Sequence, residues 1–415
     1  MATLCTLEEH RFELHADETL FAYCDQCALP ERERGFAHEI VFGCLRHKTW
    51  LEKLIARKSA VLIKDMDPGL RWILATAVFQ MTFLERVPVF AAVNEAVALA
   101  AARGGRKWTG FANAVLRGLV REALLEQPRP GDGRLEDVYS HPAWLVARLV
   151  RQFGAERAAA ILAWNNTRPG LYAYVTGPRD SAIYALTAAG VAGESAFGAK
   201  ILQVLEPKEF LHSSCFAQGR LYVMDPWSVA VAQRVPVGPG CRVLDMCAAP
   251  GGKTIVMADR AEVSITACDH AAARLETLRG NIARCHARNV EVRAVDGRDA
   301  SREFGQGAFD AVLLDAPCAN TGVIRRKPEV RWRLRPDDIR RHAAAQKKLL
   351  SSAVACARAG GHVVYAVCSI MPEESTGVVD ACVATGAAVC VEQWLTLPGA
   401  EGTDGGFCAL LRTRG

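Results

Sequence analysis

The sequence lacks long apolar runs, internal repeats and low-complexity tracts over its 415 residues. No stretch approaches eighteen consecutive apolar residues, which excludes an ordinary membrane-spanning helix. The N-terminal residues MATLCTLEEHRFELHADETL have neither the basic start nor the apolar segment of a signal peptide. We therefore expect a cytoplasmic protein that does not associate with a membrane.

The fifteen cysteines lack the spacing of a zinc site. Cys24 and Cys27 form a single C-x-x-C motif, and no second pair follows at zinc spacing, whereas a tetrahedral site needs four ligands. We expect no metal, and the pair is read as part of a helix face. Because the cytoplasm keeps thiols reduced, the cysteines are interpreted as core residues or working thiols and not as disulfides.

The chain also has little excess of positive over negative residues, since its formal net charge is only +5. Its distribution is uneven, because residues 325–348 carry ten Lys or Arg against three acids, with Trp332 among them. Such a run suits a phosphate backbone and a stacked base. A solvated helix face with a packed tryptophan explains the same pattern equally well.

The chain is half apolar and long enough for two or three compact domains. Residues 1–130 show apolar positions at three- and four-residue intervals, which predicts an all-helical domain. Residues 131–220 begin with a Pro- and Gly-rich linker and continue as a small mixed module that includes the strand-like LYAYVTG. In residues 221–415, the apolar runs CRVLDM, VSITACD, VEVRAVD, DAVLLDA and GHVVYAVCS alternate with helical patterns. This alternation predicts a doubly wound, Rossmann-like α/β fold with a mostly parallel sheet.

CRVLDMCAAPGGKT, residues 241–254, reads as a strand, a Gly-rich turn and a helix. Such a turn lets a ligand approach the backbone and the free N–H groups of a helix start. The Walker A pattern requires glycine at position 247, where this chain has Cys247, and G-x-G-x-x-G is also missing. A nucleoside without phosphates is therefore favoured over a phosphate ligand.

Four acids stand at the ends of successive predicted strands, namely Asp245, Asp269, Asp296 and Asp315. Open α/β sheets bind ligands at the carboxyl ends of their strands, and an acid at the position of Asp269 accepts hydrogen bonds from ribose hydroxyls. A single aspartate at a strand end is more often a helix cap. Four in succession favour one shared ligand site.

Two further motifs follow the fourth and fifth strands, DAPCANTG with Cys318 and AVCSIMPEES with Cys368. Together, LDMCAAPGGKT, DAPCANTGVIRRKPEVRW and AVCSIMPEE resemble the motifs of the NOL1/NOP2/Sun RNA (cytosine-5)-methyltransferases, specifically of the bacterial RsmB type that acts on small-subunit rRNA. ERVPVFAAVNEAV and GFANAVLRGLVRE in the helical N-terminus resemble the NusB-like RNA-binding domain of that type. The resemblance covers nearly the whole chain.

Carbon 5 of cytosine is a poor nucleophile, and a thiolate that adds to carbon 6 activates it. The resemblance implies that Cys368 is this nucleophile, that Cys318 assists release of the product, and that Asp315 contacts the ring nitrogen and amino group of the base. An ordinary thiol has a pKa of about 8.5, so Cys368 should need a nearby cation or helix N-terminus. Cytosine must be unstacked to react, which implies a single-stranded or loop target.

The resemblance also implies S-adenosylmethionine as cofactor. Asp269 should bind its ribose and Asp296 its adenine, and Asp315 is also expected to contact the cofactor. Lys253 is expected to contact the cofactor carboxylate or RNA, or to lie in solvent. The turn that should wrap its amino-acid portion comprises Cys247, Ala248, Ala249, Pro250, Gly251, Gly252 and Lys253. The expected contacts to small-subunit rRNA are Arg325, Arg326, Lys327 and Arg331. We expect a monomer.

The chain departs from the family pattern at four places: Val367 replaces a threonine, Ala319 and Asn320 follow the Pro-Cys pair in place of serine, and YVMDPWSVA and LYAYVTG replace other family sequences. None of these touches Cys318 or Cys368. Two alternatives stay open. One is a methyltransferase that acts on tRNA or another rRNA site, and the other is a non-catalytic RNA-binding factor of ribosome assembly.

Overall fold

The computed structural model describes residues 1–414 and divides them into two compact units. The helical unit comprises Met1–Thr167 together with Ile324–Leu334, and the sheet unit comprises Arg168–Val323 together with the residues from Arg335 onward. This division differs from the three predicted segments. Residues 138–167 belong to the helical unit, whereas the strands that follow Arg168 belong to the sheet unit.

The helices have the following bounds: α1 Ala2–Glu9, α2 Ala16–Gln26, α3 Glu31–Ala56, α4 Pro68–Phe83, α5 Val89–Arg121, α6 Leu135–Val138, α7 Ala143–Phe153, α8 Ala155–Asn165, α9 Arg179–Ala188, α10 Pro207–Leu211, α11 Ser214–Ala217, α12 Pro226–Gln233, α13 Gly252–Arg260, α14 Ala272–Arg284, α15 Ala300–Phe304, α16 Val330–Arg333, α17 Pro336–Cys356 and α18 Thr376–Ala384. Short 3-10 helices span Ile63–Asp65, Gly297–Asp299 and Ala400–Gly402. No helix among residues 1–414 combines the length and the apolar character needed to cross a membrane.

The helical unit is built as its apolar periodicity predicts. On α3, the positions at three- and four-residue spacing from Val41 to Ile55 are buried against α4 and α5. Phe36, which belongs to the same predicted stripe, is 46% exposed because it lies on the first turns of the helix, before the packed part. The core of this unit also contains Trp50 and Trp72.

The sheet unit contains two sheets. The strands are β1 Leu171–Val175, β2 Gly193–Ser195, β3 Ile201–Val204, β4 Leu221–Val223, β5 Arg242–Met246, β6 Ser264–Asp269, β7 Val290–Ala294, β8 Phe309–Asp315, β9 Ala357–Val367, β10 Ala388–Thr396 and β11 Gly406–Thr413. The small sheet has the order β2-β3-β1-β4, and the large sheet has the order β10-β11-β9-β8-β5-β6-β7.

The large sheet confirms the predicted doubly wound fold. The five predicted runs form β5 to β9, which pair in parallel, and helices separate them along the chain. Strands β10 and β11, which the sequence analysis did not identify, add an antiparallel edge. Most of β10 is not buried, so it lacks the continuous apolar run of a buried strand. The carboxyl ends of β5, β6, β8 and β9 share one edge.

Candidate active site

Two loops at this edge carry the predicted cysteines, one after β8 and one after β9. Their backbones touch, because Gly322 N donates to the Cys368 carbonyl at 3.0 Å. The Gly322 carbonyl also accepts from Gly405 N, just before β11, at 2.8 Å. A Cβ at position 322 would lie 2.3 Å from the Gly405 oxygen and 3.2 Å from the Cys368 oxygen. Gly322 is therefore required for the close approach of the two loops.

The two cysteines differ in their surroundings. Cys318 is buried and Cys368 is half-buried, and both pack on the same apolar cluster. Burial, together with the negative charges of Cys368 and Glu374, raises the pKa of Cys318 well above its ordinary value. Cys318 consequently remains a neutral thiol at neutral pH, which makes it a poor nucleophile.

Lys253 supplies a cation at this site. Its Nζ lies 2.6 Å from Asp315 Oδ2, and the lysine side chain is only 12% exposed. Burial opposes the charged form, but the charges of Asp315 and Cys368 outweigh it and raise the pKa of Lys253. The expectation that Lys253 could be a solvated lysine is wrong. Lys253 is therefore a candidate for the cation that Cys368 is predicted to need.

The Gly-rich turn after β5 leads directly into α13. Gly251 has a φ of 108°, in the left-handed region that favours glycine, and a Cβ at Gly252 would lie 2.8 Å from the Tyr222 ring. Thr254 Oγ1 on α13 donates to Asp245 Oδ2 at 2.6 Å. Asp245 is buried, which raises its pKa to about 7. Its Oδ1 accepts no hydrogen bond from residues 1–414.

Asp269 at the end of β6 is buried as well. Its Oδ1 accepts from Ala271 N at 3.2 Å, and its Oδ2 lies 3.0 Å from Arg274 Nη2 without accepting a hydrogen bond in the described chain. Asp245 and Asp269 thus present buried carboxylate oxygens with unused acceptor capacity at neighbouring strand ends. Ammonium and hydroxyl groups are the donors that such oxygens accept. These residues therefore fit the amino-acid and ribose portions of S-adenosylmethionine.

Asp296 lies just after β7 but is already engaged. It accepts hydrogen bonds from Arg298 N at 2.9 Å and, through both carboxylate oxygens, from the Arg298 side chain. These bonds lower the pKa of Asp296 to about 2. A contact between Asp296 and an adenine requires that Arg298 moves or shares the carboxylate.

The expectation that Arg331 contacts RNA is not supported, because the side chain is fully buried in the helical unit. Its guanidinium donates to Asn166 Oδ1 at 2.7 Å and to the Asn165 carbonyl at 3.0 Å. It also donates to the carbonyls of Arg46, Tyr139 and Ser140. A guanidinium enclosed in this way is not available to a phosphate.

Two neighbours of Arg331 are also packed inside the helical unit. Arg325 is 3% exposed, and its guanidinium lies 4.0 Å from the centre of the Trp164 ring. Trp332 Nε1 donates to the Leu45 carbonyl at 2.8 Å. Trp332 is therefore packed, as the second interpretation of the basic run requires, but Arg325 and Arg331 are buried and do not form its solvated helix face. Arg326 and Lys327 are half-buried and stay candidates for RNA contacts.

Two residues of the site were not identified from the sequence, Glu374 and Gln346. Glu374 Oε1 accepts from Ala319 N at 2.9 Å and from Gln346 Nε2 at 3.1 Å, while Oε2 accepts from Ser369 Oγ at 2.5 Å. Glu374 belongs to the same motif as Cys368, AVCSIMPEES, and this closeness in sequence could have identified it as a residue of the site. Gln346 lies on α17 inside the basic run and carries no comparable signal.

The departures next to the cysteines have structural explanations. Val367 is fully buried in β9 and packs in the apolar core of the sheet. Asn320 has a φ of 57°, and its Nδ2 donates to the Cys318 carbonyl at 3.1 Å. Asparagine tolerates this left-handed conformation better than most residues. Val367 leaves Cys368 without the neighbouring hydroxyl of the usual threonine, and both cysteines are retained.

Comparison with known proteins gives two family matches. The family model for 16S rRNA methyltransferase RsmB/F matches residues 236–412, and the model for the NusB family matches residues 2–121. The ribosomal RNA small subunit methyltransferase B of Serratia proteamaculans is 32% identical over 363 residues, which cover 86% of this chain and 83% of that protein. The protein of the same name from Pseudomonas putida is 34% identical, with 85% and 81% covered.

Solved structures share the fold. The crystal structure of PH0851 has a TM-score of 0.80 at 24% identity and covers 99% of this chain and 97% of its own. NSun6 from Pyrococcus horikoshii with SFG has a TM-score of 0.59 at 21% identity, with 66% and 98% covered. At these identities the likeness concerns the fold alone.

Proposed function

The chain belongs to the 16S rRNA methyltransferase RsmB/F family, and from this membership and the geometry of the site we propose that it methylates carbon 5 of a cytosine in small-subunit rRNA. The reaction proceeds through a covalent bond between Cys368 and carbon 6 of the base. The observation that carries this proposal is the asymmetry of the two cysteines. Cys318 is a buried, neutral thiol, whereas Cys368 is half-buried within the electrostatic reach of the Lys253 cation.

The Cys368 thiolate attacks carbon 6, and the displaced ring electrons make carbon 5 nucleophilic. S-adenosylmethionine, when bound, supplies the methyl group that carbon 5 takes. A water molecule then takes the proton from carbon 5, the electrons of the broken C–H bond restore the ring double bond, and the bond between carbon 6 and sulfur breaks to return the thiolate. Cys318 is assigned to this release step.

Asp315 orients the base. One of its oxygens is bound by Lys253, and the carboxylate is 27% exposed at the strand edge, where the ring nitrogen and amino group of cytosine can reach it. Lys253 thereby holds Asp315 and balances the charge of Cys368. The fixed positive charge of Lys253 stabilises the negative charge that develops on the base during addition.

The turn from Cys247 to Lys253 and the carboxylates of Asp245 and Asp269 hold S-adenosylmethionine. Arg326 and Lys327 are the proposed RNA contacts, and the NusB-like helical unit contributes to RNA binding. The enzyme acts as a monomer in the cytoplasm. The target cytosine lies in a single strand or loop, because a stacked base cannot present carbon 6 to a thiol.

The test is incubation of the purified protein with labelled S-adenosylmethionine and unmethylated small-subunit rRNA, followed by digestion to nucleosides. We expect label in 5-methylcytosine, no label with Cys368→Ala, and a trapped protein–RNA adduct with Cys318→Ala. Cys382→Ala, at a half-buried cysteine on α18, is the matched control and should behave as wild type.

Activity that survives Cys368→Ala would refute the covalent mechanism. Label that appears in tRNA in a parallel incubation, but not in the rRNA, would support the alternative substrate. Cofactor binding without any labelled RNA would favour the non-catalytic assembly factor.

A further inference from the structure

We propose that Glu374 is the positioning residue for both cysteines, because its buried carboxylate links the residue after Cys318 to the residue after Cys368. The proposal rests on the proposed covalent function. It concerns how the two thiols are kept at a fixed separation around the base, and it assigns this task to a fully buried side chain.

The two oxygens of Glu374 serve different loops. Oε1 accepts from the backbone N–H of Ala319, directly after Cys318, at 2.9 Å. Oε2 accepts from the hydroxyl of Ser369, directly after Cys368, at 2.5 Å. Glu374 is fully buried, and its own carbonyl accepts from the Tyr365 hydroxyl at 2.6 Å. The carboxylate is thus a fixed point between the two loops.

On the Cys318 side, the arrangement continues to Gln346. Its Nε2 donates to Glu374 Oε1 at 3.1 Å and to the Pro317 carbonyl at 2.9 Å. Cys318 is therefore held at both of its neighbours, Pro317 through Gln346 and Ala319 through Glu374. Gln346 meets the loop of Cys368 at Glu374 itself, whereas Ser369 binds the other oxygen of that carboxylate.

On the Cys368 side, the network consists of two hydroxyls. Ser369 Oγ donates its hydrogen bond to Glu374 and accepts one from Met371 N at 3.2 Å. It also lies 3.0 Å from Thr321 Oγ1. Thr321 consequently donates to Ser369, and it accepts from Ile370 N at 3.0 Å. All side-chain partners of Glu374 are donors, which is the arrangement that an ionised carboxylate satisfies.

Because each side of the network reaches one cysteine, the two chemical steps can be impaired separately. Gln346→Leu removes the support of Cys318, so release should slow and the protein–RNA adduct should accumulate. Ser369→Ala removes the support of Cys368, so adduct formation should slow and less adduct should be present. Small displacements of a reacting group cost up to about 100-fold in rate.

The experiment uses the full chain, S-adenosylmethionine and small-subunit rRNA. Adduct is measured on denaturing gels and 5-methylcytosine by nucleoside digestion, in single turnovers. We expect the adduct-to-product ratio to rise about 10-fold with Gln346→Leu and to fall about 10-fold with Ser369→Ala. Glu374→Ala should slow both steps, and Glu374→Gln, which keeps an acceptor for Ala319, should restore part of the rate. Glu392→Gln, at an exposed glutamate of β10, is the control and should match wild type.

The proposal is overturned if Gln346→Leu and Ser369→Ala each lower adduct and product in parallel, without a change in their ratio, since uniform loss indicates a purely structural role. It is also overturned if they leave both unchanged. Cys318→Ala separates this failure from that of the proposed function. If Cys318→Ala traps adduct while the ratio does not respond to the network, only the positioning role fails, and if it traps none, the covalent mechanism fails and the positioning role with it.

Discussion

Lys253 Nζ lies 2.6 Å from Asp315 Oδ2, so a helix that follows one strand is joined by an ion pair to the end of the neighbouring strand. Strands β5 and β8 are adjacent and parallel, which brings the start of α13 to the end of β8. The same ammonium is within electrostatic reach of Cys368. One buried cation therefore pairs with Asp315, the proposed orienting carboxylate, and lies within electrostatic reach of Cys368, the proposed nucleophile.

Replacement of Lys253 by methionine should lower the rate of methyl transfer by about 10²-fold or more, the usual effect of removing a preorganised charge from a buried site. The remaining activity should rise more steeply between about pH 7 and 9 than in wild type, because a thiol without a neighbouring cation ionises in more alkaline solution. Single-turnover rates across this range provide the measurement.

Lys253→Arg should retain part of the activity, and Lys348→Met, at an exposed lysine of α17, should retain all of it. A Lys253→Met variant with the wild-type rate and pH profile would show that this cation does not act on Cys368.

The different surroundings of the two thiols should appear in their chemical reactivity. At about pH 8 without RNA, iodoacetamide should modify Cys368 well before Cys318, because burial and nearby negative charge raise the pKa of Cys318 and keep it protonated. Site-resolved mass spectrometry measures both rates in one sample. Exposed Cys27 and buried Cys356 provide the fast and slow references. Faster modification of Cys318 would exchange the roles assigned to the two cysteines.

Arg331→Met should destabilise the helical unit. The guanidinium donates to several backbone carbonyls, and its removal leaves these buried acceptors without donors. Loss of one partner from a buried charged network costs about 3 kcal/mol or more. In thermal unfolding, the helical unit should unfold at a lower temperature than in wild type. The affinity of the folded variant for RNA should be unchanged.

Arg335→Met, at an exposed arginine of the same basic run, is the control and should leave the transition in place. A variant of Arg331 with wild-type stability but weakened RNA binding would restore the original expectation for this residue.

The sequence was informative where structure depends on local pattern. Strands β5 to β9 were predicted because continuous apolar runs alternate with amphipathic helices, and parallel pairing then brings Asp315, Cys318 and Cys368 to one edge. The Gly-rich turn was predicted from its glycines, which the left-handed Gly251 and the crowded Gly252 require.

The sequence was misleading where burial depends on distant partners. Arg331 is far along the chain from Arg46, Tyr139 and Asn165, and a cage of backbone carbonyls has no sequence signature. Charge alone therefore predicted a surface. Gln346 was hidden for the same reason, since its partners Pro317 and Glu374 lie on other elements.

Asp245→Asn should change how stability depends on pH. Burial raises the pKa of Asp245 from 3.8 to about 7, so between these values the folded chain retains a proton that the unfolded chain has released. The contribution of Asp245 to the free energy of unfolding is fully present below about pH 4 and is lost as the pH rises to about 7. This loss amounts to at most about 4 kcal/mol. Asparagine cannot ionise and avoids this loss.

Melting temperatures of wild type and Asp245→Asn, measured without cofactor at about pH 5 and pH 8, should therefore differ more in favour of the variant at pH 8. Asp310→Asn is the matched control of opposite sign, because hydrogen bonds from Arg242 N and the Arg358 side chain lower the pKa of Asp310. Removal of the Asp310 carboxylate should lower the melting temperature above about pH 4 and change it little at lower pH. An equal difference between wild type and Asp245→Asn at both pH values would mean that Asp245 is ionised in the folded chain and that its orphaned oxygen is solvated.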